Sequence, residues 1–403
     1  MVSSSPEVPE NLSDPVALLQ ALIACPSVTP EEGGALDLLE AALRRLGFAV
    51  ERIRFSEQGT PDVENLVATI GEGGPHLMFA GHTDVVPPGD ADTWRHPPFS
   101  GVIDDGLLYG RGAVDMKGGV AAFVSAIARL RETGWPDAGR VTLLITGDEE
   151  GPGINGTDKV LGWCESRGMA FDAALVGEPT NVDRLGDMAK VGRRGSLSGT
   201  LGIFGRQGHA AYPHRAQNPM PAMLAIAQAL TGSPLDQGSK GFQPSNLEIV
   251  SVDTGNRAFN VIPGRVELRF NVRFNDTWTS DSLKDELLRR IHAATPEGIR
   301  TEIGWERPAE AFFTRDERLA QTLCDAVAGV TGQRPELSTA GGSSDARFVQ
   351  KYCPVIEFGL VGDTMHQVDE RVPVADVETL TEIYRRFVSA VLTGGEGERA
   401  AGC

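Results

Sequence analysis

Residues of metal-ligating type recur at the ends of short apolar runs. His82-Thr83-Asp84 follows the run 77–81, Asp115 follows 107–112, Asp148-Glu149-Glu150 follows 141–147, and Glu178-Pro179 follows 173–177. A further residue, His366, comes after the run 354–358 and the loop 359–365. Taken singly, each has an ordinary reading: a surface His-x-Asp pair, a helix cap at Asp115, solvated loop acids, a loop histidine. Their recurrence at successive strand ends is what points to chemistry. In an open α/β sheet, ligands bind beyond the carboxyl ends of the strands. Imidazole and carboxylate without cysteine suit zinc, and less well cobalt or manganese. One bridging carboxylate, two histidines and two more carboxylates serve two ions about 3.5–4 Å apart. Two divalent ions against three carboxylate ligands leave one net positive charge, a balance that favours acidifying a bound water.

The elements that must position these residues alternate between strand and helix patterns. Asp14-Pro15 reads as a cap and first-turn proline, with Val16, Leu18, Leu19, Leu22 and Ile23 at helical spacing. Thr29-Pro30-Glu31-Glu32 reads as a capping box for a helix carrying Leu36, Leu39, Leu43 and Leu46. Apolar runs at 65–70, 77–81, 107–111, 141–147 and 173–177 read as strands, with a helix over 120–130 between two of them. This alternation predicts an α/β fold with a mostly parallel sheet. Near Arg194 the texture changes. Strands at 197–205, 247–252, 261–274 and 299–305 and helices at 219–230 and 282–294 follow the order βαββαβ, a ferredoxin-like module. After Pro308 come a helix at 317–330, a strand at 354–358 and a helix at 377–391. The expected organisation is a catalytic domain, 1–193 and 309–403, interrupted by an inserted lid or dimerisation domain, 194–308.

The chain has 403 residues, 41% apolar and 23% charged, with a net charge of −18. Such an acidic balance opposes binding to nucleic acid or to an anionic membrane. No apolar run reaches the ~18 residues of a membrane span. The N-terminus lacks the basic and apolar regions of a secretory signal. The five cysteines form no CxxC pair, which predicts reduced thiols and a cytoplasmic location. The first residues and the glycine-rich tail are expected to lack order.

The runs His82-Thr83-Asp84-Val85-Val86-Pro87, Gly110-Arg111-Gly112-Ala113-Val114-Asp115-Met116-Lys117-Gly118, Gly147-Asp148-Glu149-Glu150 and Val176-Gly177-Glu178-Pro179 resemble those of the co-catalytic di-zinc aminoacylase/carboxypeptidase metallopeptidase family. The resemblance runs from about Asp14 to Val391. It implies that Asp115 bridges two Zn²⁺ ions per subunit, with Co²⁺ as a substitute. His82 and Glu178 would complete one ion, and Glu150 and His366 the other. Asp84 would bond the far nitrogen of His82, and Glu149 would be the general base. Adjacent Glu149 and Glu150 cannot both face one ion in the same way, which is consistent with such a split. A cis peptide after Asp115 is also implied.

Further segments around Arg193-Arg194, Gly208-His209-Ala210, Asn260-Val261-Ile262-Pro263, Arg273 and Ser338-Thr339-Ala340-Gly341-Gly342-Ser343-Ser344-Asp345 are similar to the branch of that family that hydrolyses N-succinyl-L,L-2,6-diaminopimelate. Ala340, Ser343 and Asp363 depart from that branch's usual residues. The implied substrate contacts are Arg193, Arg194, Asn260, Arg273, Gly341, Gly342 and Ser343. The implied assembly is a homodimer through the inserted domain, with His209 stabilising the oxyanion in the partner's site. An anionic substrate needs a locally basic pocket in an acidic protein, and arginine forks bind carboxylates bidentately. Other N-acyl amino acid amidohydrolases, such as acetylornithine deacetylase, share the metal set and differ in the acyl pocket. A non-hydrolytic binding protein of the same fold would be free to lose Glu149 or a ligand, and every one of these residues is present.

Overall fold

The computed structural model describes residues 7–136 and 138–394; the first six residues and nearly all of the glycine-rich tail, with Cys403, lie outside the described residues. The chain divides into two units. The first comprises Met1–Val191, Thr314–Ser338 and Ser344–Cys403, and the second Gly192–Phe313 with Thr339–Ser343.

The first unit is built on an eight-stranded sheet in the order Ala49–Phe55, Val63–Glu72, Gly139–Thr146, His76–His82, Ala173–Val176, Val355–Glu357, Met188–Lys190, Glu336–Ser338. Its four central strands, Gly139–Thr146 to Val355–Glu357, are mutually parallel. They are the near-continuous apolar runs of the sequence, as strands covered on both faces must be. The two strands on one flank pair antiparallel, so the sheet is parallel only at its centre and one edge. The helix Lys117–Thr133 packs on Pro15–Ile23 and Val374–Leu392. Asp14 caps the first of these through bonds from the Val16 and Ala17 N–H groups.

Three expectations change. The run 107–111 is a strand, Leu107–Tyr109, but it lies in a separate three-stranded sheet with Ile103–Asp104 and Arg371–Pro373. Asp115 therefore does not leave a strand of the main sheet. Thr29 does not cap a helix. The Thr29–Pro30 peptide is cis, and the helix begins at Ala35 after Gly34 at φ 89°, with the Glu32 carboxylate accepting from the Leu36 N–H. The run 261–274 is broken into Val261–Ile262 and Arg265–Phe274, because Pro263 has no N–H to continue the ladder.

The second unit holds an antiparallel sheet in the order Asn246–Asp253, Arg265–Phe274, Gly195–Phe204, Arg300–Trp305. With helices Met220–Thr231 and Ser280–Ala294 it has βαββαβ connectivity and the ferredoxin-like strand order. Leu197, Leu201, Ile226, Leu268, Phe270, Leu283 and Leu287 form its core. A capping box at Thr279–Ser282 starts the second helix.

Candidate active site

The parallel strands deliver their polar ends to one edge. His82 is the last residue of His76–His82, Glu178 follows Ala173–Val176, and Asp148-Glu149-Glu150 follows Gly139–Thr146. Asp115 arrives by another route. It stands in the loop before Lys117–Thr133, and the Asp115–Met116 peptide is cis. The Met116 side chain fills the space left by two glycines at the strand ends. A Cβ at Gly81 would meet Met116 Cε at 2.7 Å, and one at Gly177 would meet it at 2.9 Å. Two neighbouring strands without side chains at that level are therefore what seats Asp115. Lys117 is fully buried and donates from Nζ to the Leu22 and Cys25 carbonyls at 2.9 and 2.7 Å, closing the end of Pro15–Ile23. Its sequence position two residues after Asp115 suggested no such role.

Two ligand clusters share Asp115. Nε2 of His82 lies 3.2 Å from Asp115 Oδ1 and 3.7 Å from Glu178 Oε1. Nε2 of His366 lies 3.2 Å from Asp115 Oδ2 and 2.8 Å from Glu150 Oε1. His82, Asp115 and Glu178 thus form one cluster and Asp115, Glu150 and His366 a second, each with donor atoms within 4.8 Å of one another. Glu149 reaches the same space, grouped with His82 and Glu150. His366 stands at φ 63°, and its side chain is 47% exposed.

The Asp84 carboxylate is not the partner of His82 that the sequence resemblance implies. Nδ1 of His82 bonds the Asp84 main-chain carbonyl at 2.9 Å, while the carboxylate Oδ1 is 3.6 Å away. The reason is competition. Both Asp84 oxygens accept main-chain N–H groups, from Glu149 at 3.3 Å and Glu150 at 3.0 Å. The carbonyl fixes the histidine tautomer, and the carboxylate holds the turn that carries both glutamates.

The electrostatics call for cations at two places. Burial works against a charged imidazole at His82, yet the Asp115, Glu178 and Asp84 carboxylates raise its pKa well above the ordinary value. Hydrogen bonds to Asp115 and Glu150 push His366 up to about 10. Burial would raise Asp115, but the bonds from His366 and His82 hold it well below the usual carboxylate range. Where the protein alone keeps a proton between imidazole and carboxylate, a divalent ion with nitrogen and oxygen ligands fits. Burial, with the Asp345, Asp115 and Glu150 carboxylates adding to it, pushes the Glu149 carboxyl up to about 8. Burial likewise raises Asp84 to about 6.

The remaining sequence-predicted residues belong to the second unit. Arg193 is buried and donates from Nη1 to the Gly342 carbonyl at 3.1 Å; Gly341, at φ 111°, needs the freedom of glycine. Arg273 sits in register with Asn246 on one neighbouring strand and Ser196 on the other. Arg194 donates to Asn246 Oδ1 at 2.9 Å, and its Nε is buried without a hydrogen-bond partner. Burial and the Arg273 charge both depress its pKa. His209 and Asn260 come together, because Gly208–His209 pairs with Val261–Ile262 and the Ala210 N–H bonds the Asn260 carbonyl at 2.9 Å. Nδ1 of His209 accepts from the Ala211 N–H at 3.0 Å, so Nε2 is the ring nitrogen left to donate, and the residue is exposed. Ser343 is exposed.

The family model that describes peptidase family M20/M25/M40 matches residues 78–390, and the chain belongs to that family. It is a metal-dependent hydrolase of the class that cleaves amide or peptide bonds. Solved structures share the fold over nearly the whole chain. An aminopeptidase from Bacillus cereus is 19% identical, with 94% of this chain and 99% of that chain covered at a TM-score of 0.77. An M20-family metallo-carboxypeptidase from Sulfolobus solfataricus is 17% identical, with 94% and 99% covered and a TM-score of 0.76. A dinuclear metal-binding M20 peptidase from Bacillus subtilis is 16% identical, with 95% and 98% covered and a TM-score of 0.70.

Proposed function

We propose that the protein is a di-zinc amidase that hydrolyses N-succinyl-L,L-2,6-diaminopimelate to succinate and L,L-2,6-diaminopimelate. The observation that carries the two-metal hydrolase part of this reading is the pair of His/carboxylate clusters sharing Asp115. His82, Asp115 and Glu178 would hold one Zn²⁺, and Asp115, Glu150 and His366 the other, with Co²⁺ as a substitute. When bound, the ions supply Lewis-acid polarisation of the amide carbonyl and lower the pKa of water.

Glu149 takes the water proton and hands it to the leaving amine. Its position beside His82 of one cluster and Glu150 of the other suits a group that must both accept and give a proton. Asp84 keeps Glu149 and Glu150 in place through their N–H groups. His209 Nε2–H donates to the carbonyl oxygen as charge develops, in a homodimer joined through the second unit.

The succinyl preference rests on the arginines. The Arg273 charge acts unfavourably on Arg194, two like charges in a chain of net charge −18. Such a pair is at its most favourable with a carboxylate between the guanidinium groups. Among the described residues no helix is long and apolar enough to cross a membrane. The four described cysteines are buried free thiols, which supports a reducing, cytoplasmic setting.

The test is a substrate series on zinc-loaded protein: N-succinyl-L,L-diaminopimelate, its N-acetyl analogue, N-acetylornithine and a neutral dipeptide. Succinate release should exceed every other rate. A preference for an acetylated substrate or the dipeptide overturns the assignment and leaves the family intact.

A further inference from the structure

One buried carboxylate outside both ligand clusters spends all its bonding on the loop that carries Asp115. Glu370 is fully buried. Its Oε2 accepts from Arg111 Nη1 at 2.6 Å and the Gly112 N–H at 3.1 Å. Its Oε1 accepts from the Val114 N–H at 2.9 Å and the Asp115 N–H at 3.2 Å. Its main-chain carbonyl accepts from the Gly110 N–H at 2.9 Å. Arg111 is buried as well, lies 5.3 Å from the centre of the Trp94 ring, and donates from Nη2 to the His366 carbonyl at 3.4 Å. The pair therefore joins the loop of Asp115 to the loop of His366.

A buried ion pair is a poor source of stability, since well-packed apolar residues of like volume often do as well or better. What this pair supplies is position. The two clusters differ in what else holds them. His82 and Glu178 leave adjacent parallel strands, and Asp115 is seated against both through Met116. His366 sits in a loop at positive φ, with Arg111 and Glu370 beneath it.

We propose that Glu370 and Arg111 are positioning residues for the cluster of Asp115, Glu150 and His366, setting the Asp115 carboxylate against the His366 imidazole at the 3.2 Å now seen. The proposal rests on the two-metal reading above.

Two variants test it. In Glu370→Gln the amide NH₂ must face N–H donors, so half of the bonds are lost. The double variant Arg111→Met/Glu370→Met leaves no charge unpaired. Zn²⁺ binding to metal-stripped protein is followed by calorimetry, with circular dichroism confirming the fold. Wild type should take up two ions. Each folded variant should bind one ion as wild type does and the other about 10–100-fold more weakly, the usual effect of losing an outer-shell partner. A folded variant that binds both ions with wild-type affinity, or weakens both equally, overturns the proposal. So does failure of both variants to fold, which would make the pair a determinant of the fold. Wild type binding fewer than two ions instead refutes the two-metal reading itself.

Discussion

Glu149 and Glu150 are neighbours in sequence with different surroundings. Glu150 faces His366, whereas Glu149 sits beside His82 between the clusters, its carboxyl raised by burial. Glu149→Ala should retain both zinc ions and lose about 10²–10⁴-fold in turnover, the range of a general base. Elemental analysis and initial rates check it, and near-normal turnover would remove Glu149 from the chemistry. Asp84→Ala should cost about 10–100-fold in activity or metal affinity. It should act through the Glu149-Glu150 turn, since the Asp84 carbonyl still bonds His82 Nδ1. The imidazole NMR signals of His82 should therefore keep their tautomer in the variant, and a changed tautomer would restore the sequence-based role. His82, Glu150 and Glu178 were legible because they follow apolar runs that are strands of the main sheet, whereas Asp115 and His366 reach the site from loops. Glu370 was not legible, because its partner Arg111 lies 259 positions away and neither is in a ligand's place in any motif.

At the scale of elements, burial on both faces is what made the central strands readable as continuous apolar runs. Partner choice was not readable in the same way. The run at Leu107–Tyr109 has the composition of a main-sheet strand but pairs with Arg371–Pro373, far along the chain. The Thr29–Glu32 signature has the residues of a capping box, but Gly33 and Gly34, both at positive φ, delay the helix. The glycines at strand ends had no sequence signal beyond their motifs, and their purpose is steric. A methyl group at Gly177 would meet Phe79 Cζ at 2.7 Å and Met116 Cε at 2.9 Å. Gly177→Ala should destabilise the protein by about 1–3 kcal/mol, the range for overpacking, and lower metal affinity by moving Asp115. Thermal unfolding of the metal-free and zinc-loaded forms checks both effects. An unchanged melting temperature and unchanged zinc affinity would mean that Met116 does not seat Asp115.

At the scale of the whole molecule, the inserted unit carries His209, Arg194 and Arg273 while the first carries the ligands. The proposed homodimer, with His209 serving the partner's site, predicts complementation. A mixed dimer of His209→Ala and Glu149→Ala subunits should regain one working site, because the first subunit keeps its own Glu149 and borrows the partner's histidine. A mixture as inactive as either parent would place His209 in the same subunit as the site it serves. Cations held at the two clusters would also stabilise the first unit. Ions that bind only the folded state stabilise it by about 4 kcal/mol at a thousand times their dissociation constant. The measurement closest to the central claim is therefore succinate release from N-succinyl-L,L-diaminopimelate while Zn²⁺ is removed by a chelator and returned in counted equivalents. Release should vanish on removal and return in full at two equivalents per subunit, with a parallel fall and recovery of the melting temperature. Release that persists in the stripped protein, or that never appears at saturating zinc, would contradict the account.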